Sequence, residues 1–328
     1  MPQRGSVALQ TTDTVSQTRL LKSDRRRTER GDVDAVEYLR RMRGGAQSLL
    51  LRCSDGSKYV VKFQNNPQGK RVLANELLGT LLARKLGLPT AKPLVVQASM
   101  EFVQKGEYTT FQHVRGRQQM QAGLCFGSRY LSIAKPKTST EAALESAIDY
   151  LRAGYLQMIG NITDIAGFLV FDKWTCNTDR RQTIVVRDHG SKFHKVVMID
   201  QGLCFNGNAW TFPDAPLRGI DLYYQVFERI PSFSNFELWL DRLEHLINRY
   251  VLEMTADEVP PEWYENDRDS LQRLLARLDF RRAHVADLVW STWKYARKEI
   301  PHWNFPQNRV AWARPTDARQ LRFADDRP

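Results

Sequence analysis

The length of the apolar runs, and the point at which their period changes, constrains this fold more than any other feature of the chain. From about Val33 the runs are of strand length: Val36-Glu37-Tyr38-Leu39, Ser48-Leu49-Leu50-Leu51 and Tyr59-Val60-Val61-Lys62-Phe63. Asp55-Gly56 supplies a turn between the last two, so they read as a β-hairpin. A single helix interrupts the strands. Leu73, Leu77, Leu78, Leu81 and Leu82 form one stripe at helical spacing, and Gly87 followed by Pro89 ends it. Strands are expected at 93–97 and 100–103, and residues 118–136 read as irregular. Residues 148–172 read as largely helical, and two strand-like segments follow at 183–187 and 194–199. Beyond about Phe233 the period is helical, with helices expected at 236–254, 270–278 and 281–298. The order is a strand-rich segment holding one helix, then a mostly helical segment with a strand pair inserted, which is a bilobal α+β plan.

Composition narrows what such a fold can do. No apolar run approaches the roughly 20 residues that cross a bilayer, and the polar start of the chain has no apolar signal core. A cytoplasmic protein without a membrane span is the expectation. Cys53, Cys125, Cys176 and Cys204 lie far apart with no CxxC pair, as free thiols in a reducing compartment would, and the six histidines form no HExxH pattern. The net charge of +11 favours an anionic partner. Nucleotide phosphates, nucleic acid, an acidic lipid surface and an acidic protein all fit it. The basic Arg25-Arg26-Arg27 arm and the Arg-rich tail lack regular aromatic interleaving, so nucleic acid is not specifically indicated.

Two constellations carry chemistry. In the first, Gly44-Gly45-Ala46-Gln47-Ser48 precedes Lys62, which stands in an otherwise apolar strand pattern, and Glu76 follows on the helix. Adjacent glycines let backbone approach an anion, and a strand-borne ammonium positioned by a carboxylate can hold nucleotide phosphates. Taken singly, the glycines read as a plain turn and Lys62 as a surface lysine. In the second, Asp172-Lys173-Trp174-Thr175-Cys176-Asn177-Thr178-Asp179-Arg180-Arg181-Gln182 is followed, past a strand, by Val196-Val197-Met198-Ile199-Asp200-Gln201-Gly202. Phosphoryl transfer needs a carboxylate at the acceptor hydroxyl and oxygen ligands for Mg²⁺, commonly an Asn and an Asp at a strand end before Gly. The order glycine loop, strand Lys, helix Glu, Asp/Asn loop and strand-Asp-x-Gly is what gives these residues weight together.

With those residues in view, the sequence from about Ala35 to Val289 resembles the HipA-like kinases, a branch of the atypical kinases that also includes type II phosphatidylinositol 4-kinases. The resemblance rests on Asn75-Glu76-Leu77-Leu78-Gly79 through Leu86-Gly87-Leu88-Pro89, on Phe171 to Gln182, and on Met198-Ile199-Asp200-Gln201-Gly202-Leu203-Cys204-Phe205. Phe212-Pro213-Asp214 and Pro260-Pro261-Glu262-Trp263-Tyr264 add to it. It implies a kinase fold with a small β-rich N-lobe over residues 33–110 and a larger, mostly helical C-lobe over 111–300. A disordered basic arm at 1–32 and a basic extension at 301–328 flank them. It also implies ATP and Mg²⁺ in the cleft, with Gly44, Gly45, Ser48, Lys62 and Glu76 on the nucleotide side and Asp200 on the metal.

The base has two registers. In one, Asn177-Thr178-Asp179-Arg180 is the Asn-x-Asp loop and Asp179 the base; the family's Asn five residues on is then replaced by Ile184, with Gln182 or Asn177 as substitute ligands. In the other, Asp172 is the base and Asn177 the metal ligand, at the spacing of H-R-D-x-x-x-x-N. Loop resemblance favours Asp179 and spacing favours Asp172. The expected activity is transfer of the γ-phosphoryl group of ATP to a hydroxyl, read here as a protein Ser/Thr. The replacement at Ile184 leaves open a nucleotide-binding pseudokinase or a regulatory, toxin-like module. HipA kinases commonly act beside a DNA-binding antitoxin, but no helix-turn-helix pattern appears in this chain. Trp239, Trp290 and Trp293 read as core, and Lys135 and Lys137 as a solvated loop.

Overall fold

The computed structural model describes residues 31–114, 116–132, 156–187, 190–218, 220, 224–296, 300 and 303. The Arg25–Arg27 arm, Lys135 to Lys137 and the Arg-rich tail lie outside these residues.

Five strands close into a barrel: β1 (Val33–Arg41), β2 (Leu49–Cys53), β3 (Lys58–Lys62), β4 (Pro93–Ala98) and β7 (Gly123–Arg129), in the order β1-β2-β3-β7-β4. All neighbours are antiparallel except β1 and β4, which run parallel through Val33 opposite Val96 and Asp34 opposite Gln97. Alternation sorts the side chains. Leu49, Leu51, Cys53, Tyr59, Val61, Val96 and Cys125 fill the barrel, while Val60, Lys62, Phe126 and Ser128 turn outward to line a cavity. Lys62 and Phe126 are cross-strand partners on that outer face. Gly127 sits where a Cβ would come within 2.6 Å of Val96 Cγ2, so the barrel closes over a missing side chain.

Helix α1 (Arg71–Lys85) follows β3. It is buried nearly all round, including Asn75 and Glu76, because the barrel covers one side and chain from the helical half covers the other. Gly87 at φ +82° ends it: Gly87 N donates to Arg84 O (2.9 Å) and Leu88 N to Ala83 O (3.0 Å), the paired bonds of a Schellman turn. A short helix, α2 (Met100–Gln104), and a hairpin of β5 (Thr110–His113) and β6 (Gly116–Gln119) precede β7.

The second half is built round α3 (Asp164–Thr175), which is buried along its length and packs against α4 (Ser234–Leu246), α6 (Arg268–Arg282) and α7 (Val285–Ala296). α5 (Arg249–Ala256) packs on α6 and α1. The two-stranded ribbon of β8 (Gln182–Arg187) and β9 (His194–Ile199) leaves α3 and returns, and Met198 N donates to Pro89 O (2.8 Å). Trp293 and Trp303 stack at 4.2 Å among Phe227 and Phe236, and Trp239 is buried as well, so these tryptophans are core. Trp263 reaches back to the barrel by donating from Nε1 to Leu124 O (2.9 Å). Among the described residues no helix is long and apolar enough to cross a membrane.

Four local expectations are corrected. Residues 100–103 are helical, because Ser99 caps them by accepting from Phe102 N (3.0 Å). The stretch expected irregular at 118–136 contains β7, which pairs with β3 and β4 beyond the boundary expected at 110. The single helix expected at 236–254 is two, since Asn248 caps a new start by accepting from Val251 N (2.9 Å). α6 runs on to Arg282, and α7 begins only at Val285.

Gly167 lies in α3 where a Cβ would fall 2.4 Å from Trp239 Cδ2 and 2.6 Å from Leu88 Cδ2. Gly167→Ala should therefore overpack this contact and destabilise the chain by about 1–3 kcal/mol. A thermal melt should register this as a lowered midpoint; an unchanged midpoint would contradict the packing described.

Candidate active site

A cavity of about 390 Å³ lies between the outer face of β3 and β7 and the ribbon β8–β9. Its lining includes Gly44, Ser48, Lys62, Glu76, Gln182 and Asp200. Five separate stretches of sequence thus bring these residues into one cleft. Val60, Ala91, Phe126, Ile184 and Met198 form apolar walls, and the charged groups lie together with them in the same space.

The charged end is organised by Lys62. Its Nζ donates to Glu76 Oε1 and, at 2.9 Å, to Asp200 Oδ1. Burial alone would pull the ammonium pKa down, but the charges of Asp200 and Glu76 outweigh it and hold the group protonated above its ordinary value. Burial pushes the Glu76 carboxyl up to about 7, with Lys62 pulling against it. Asp200 is also opposed by burial, yet the Lys62 charge and a hydrogen bond from Glu76 take its carboxyl down to about 2. A proton on Glu76, when present, thus leaves Asp200 the ionised partner.

The backbone at this point is unusual. Asp200 stands at φ +57°, a region that residues other than Gly seldom adopt. Gln201 N donates to Glu76 Oε2 (2.8 Å), and at Gly202 a Cβ would meet Val72 Cγ1 at 2.6 Å and Glu76 Oε1 at 3.2 Å. The glycine of Asp-x-Gly is required because α1 passes directly over it. Asn75 secures the same segment, donating from Nδ2 to Gly202 O and Gly207 O, both at 2.9 Å, and accepting from Trp210 Nε1 at 2.8 Å.

The two candidate bases sit differently. Asp172, on α3, is 3% exposed and does not line the cavity. Arg181 grips it through Nε (3.0 Å) and Nη2, and Asn177 Nδ2 donates to it at 3.1 Å. Arg181 also donates to Gln201 Oε1 (2.7 Å) and Ile199 O (3.2 Å), so the Asp172–Arg181 pair braces the loop against the end of β9. Asp179 lies on that loop, partly exposed. It accepts from Gln182 Nε2 at 3.0 Å and from Arg180 N at 2.8 Å, which places it one hydrogen bond from the cavity lining. Asn177 is buried, and its Oδ1 accepts from Asp179 N (3.2 Å). Its two amide ends therefore hold Asp172 and the loop, away from the cavity. Gly45 faces Gln68 in place of the cavity, whereas Gln47 ties the glycine loop to β5 by exchanging bonds with Gln112 O (2.7 Å) and Gln112 N (2.8 Å).

Lys62, Glu76, Asp200 and Gln182 are visible in the sequence as candidates, whereas Arg181 and Asn75 take their parts only in the fold. Asn75, a polar residue within a leucine-rich helix and next to Glu76, carried a signal that could have found it. Nothing at fixed spacing marks Arg181.

The family model for HipA-like kinases matches residues 35–293. The chain belongs to the HipA-like kinase family. Kinase-type phosphoryl transfer is the activity of that family, and it implies a nucleotide. Among solved structures, the chain is similar to the Helicobacter pylori proinflammatory kinase CtkA, with a TM-score of 0.46 and 14% identity over 80% of this chain and 96% of that one. It is also similar to the Golgi casein kinase, with a TM-score of 0.44 and 11% identity over 84% and 77%. A third is HipA of Shewanella oneidensis MR-1, solved with HipB and operator DNA, with a TM-score of 0.43 and 10% identity over 77% and 68%. No curated protein sequence matches the chain.

The raised Glu76 carboxyl sets a pH dependence. The folded chain keeps that proton to about pH 7, while an unfolded Glu loses it near 4.5. The resulting stabilisation is complete below pH 4.5 and is lost as pH rises to about 7. Denaturant midpoints of the wild-type chain should fall across this window more steeply than those of Glu76→Gln; parallel profiles would contradict the assignment.

Proposed function

We propose that this HipA-like kinase transfers the γ-phosphoryl group of ATP, with Mg²⁺, to a protein Ser/Thr hydroxyl, and that its N-terminal and C-terminal halves act as the two lobes of a kinase. The observation that carries this reading is Lys62, held between Glu76 and Asp200 at one cavity with the glycine loop and Gln182.

The cavity suits the ligand in its chemistry. Apolar walls from Val60, Ala91, Phe126, Ile184 and Met198 suit a flat base, and Lys62 with Gly44 and Ser48 suits a polyphosphate. Among the described residues no three His, Cys, Asp or Glu side chains cluster as a self-sufficient metal cage. A site of one carboxylate and an amide, completed by phosphate oxygens, is the kind Mg²⁺ uses. Asp200 and Gln182 would hold the ion. Bound there, it would neutralise charge on the phosphates.

The chain's own residues do the rest. Lys62 binds phosphate oxygens, and Glu76 keeps its ammonium aimed. Asp179, oriented by Gln182 and by Arg180 N, accepts the proton of the acceptor hydroxyl. Asp172 is assigned the structural part, because both of its oxygens are engaged by Arg181. The four cysteines are buried and unpaired, which supports a reducing, cytoplasmic setting.

One observation favours a second reading. Ile184 stands five residues after Asp179 and lines the cavity as an apolar wall, which supports a chain that binds nucleotide without transferring phosphate.

Substitution separates these parts. Asp179→Asn should lower kcat by about 10²–10⁴ and leave the thermal midpoint unchanged. Asp172→Asn leaves a buried guanidinium short of its partner and should cost about 3–5 kcal/mol of stability. The reverse pattern would assign the base to Asp172, and wild-type protein that binds ATP with Mg²⁺ but transfers nothing would establish the pseudokinase.

A further inference from the structure

Two buried cations outside the cavity lining have no part in the chemistry above. Arg281, on α6, is 3% exposed. Its Nε donates to Trp174 O (2.9 Å) and its Nη2 to Lys173 O (2.7 Å), so it bonds two carbonyls of the last turn of α3, the second of which also accepts from Cys176 N (3.4 Å). The same guanidinium holds Asp214 in a fork, at 2.7 and 2.8 Å, and its Cζ lies 4.5 Å from the centroid of the Phe212 ring.

Lys173 completes the connection in the opposite direction. Its carbonyl serves Arg281, while its Nζ donates to Ala215 O (3.1 Å), Pro216 O (2.7 Å) and Arg218 O (2.6 Å). Burial pulls this ammonium down to about 8, so its three donors are spent on backbone at the cost of solvation. Thr292 adds a bond from Oγ1 to Pro216 O (2.6 Å). Two residues beyond Lys173, α3 ends: Cys176 turns at φ +48°, and the loop bearing Asp179 begins. Within that loop Asn177 N donates to Asp172 O (3.0 Å) and Thr178 N to Leu203 O (3.1 Å).

A guanidinium is planar and presents its donors in a fixed fork. The end of α3 and residues 212–214 therefore cannot shift independently without breaking bonds to one cation. We propose that Arg281 and Lys173 form a clasp between the end of α3 and residues 212–218, and that Arg281 is a positioning residue that holds the Asp179 loop in register. The inference rests on the reading of Asp179 given above.

The test uses the full chain with Asp214→Asn, Arg281→Lys and the double variant. Hydrogen exchange is followed at residues 177–179, with residues 72–78 as the internal reference. Release of phosphate from ATP to water and the Kd for ADP with Mg²⁺ are measured on the same preparations, well below their melting points. Each single variant should speed exchange of the loop by about fivefold or more and lower kcat by about tenfold, with the ADP Kd within about twofold of wild type. The double variant should be little worse than the more damaged single, as groups in one network are. Unchanged loop exchange in both singles would overturn the clasp, as would ADP affinity falling in step with kcat. Wild-type protein that binds ADP and releases no phosphate would overturn the phosphotransfer reading, and loop exchange alone then decides the clasp.

Discussion

The Lys62 ammonium lies between two carboxylates brought from distant parts of the chain, and the architecture of the cleft follows from keeping it there. Glu76 comes from the next helix, whereas Asp200 lies 138 residues away. Removing a buried charge from water costs several kcal/mol, and only close opposite charge in good geometry offsets that. β3 must therefore present its outer face to α1, α1 must pass over Gly202, and β9 must end beside both. Each requirement is met by a local device: alternation on β3, the absent Cβ at Gly202, and the left-handed turn at Asp200.

Around this triad the backbone is held from both sides. Asn75 and Glu76 on α1 bond the residues that follow Asp200, and Arg181 bonds the same stretch from the loop side through Gln201 and Ile199. Buried polar groups that are fully bonded fix one arrangement, because any alternative leaves some of them unsatisfied. The unusual dihedral of Asp200 is tolerable for the same reason: its neighbours leave the chain no relaxed alternative that keeps these bonds.

Much of the site was legible in sequence because it rests on local rules. A lysine that breaks an apolar strand pattern, a carboxylate on the following helix and an aspartate at a strand end before glycine are each visible within a few residues. What was not legible depends on distant partners. Arg181 looks like any arginine in a basic loop until Asp172 is seen buried beneath it, and Arg281 until Asp214 and the end of α3 are seen to meet there. In the fold, the stripe from Leu73 to Leu82 identified α1 but understated its burial, since covering by the second half is not encoded in its own period. The short run at 100–103 has no period long enough to separate strand from helix, and the Ser99 cap decided it. β7 is hidden in the sequence because Gly123 and Gly127, which read as loop residues, respectively open the strand at positive φ and allow a close strand approach.

In the proposed function, the Lys62, Glu76 and Asp200 cluster is the polyphosphate end of a nucleotide cleft from which Asp179 works. A crystal structure of the full chain with a non-hydrolysable ATP analogue and Mn²⁺, the ion located by its anomalous signal, decides whether it is. The triphosphate is expected at Lys62, the ion on Asp200 with Gln182, and the terminal phosphate directed toward Asp179. A terminal phosphate directed to Asp172, or a nucleotide seated outside this cavity, would contradict it.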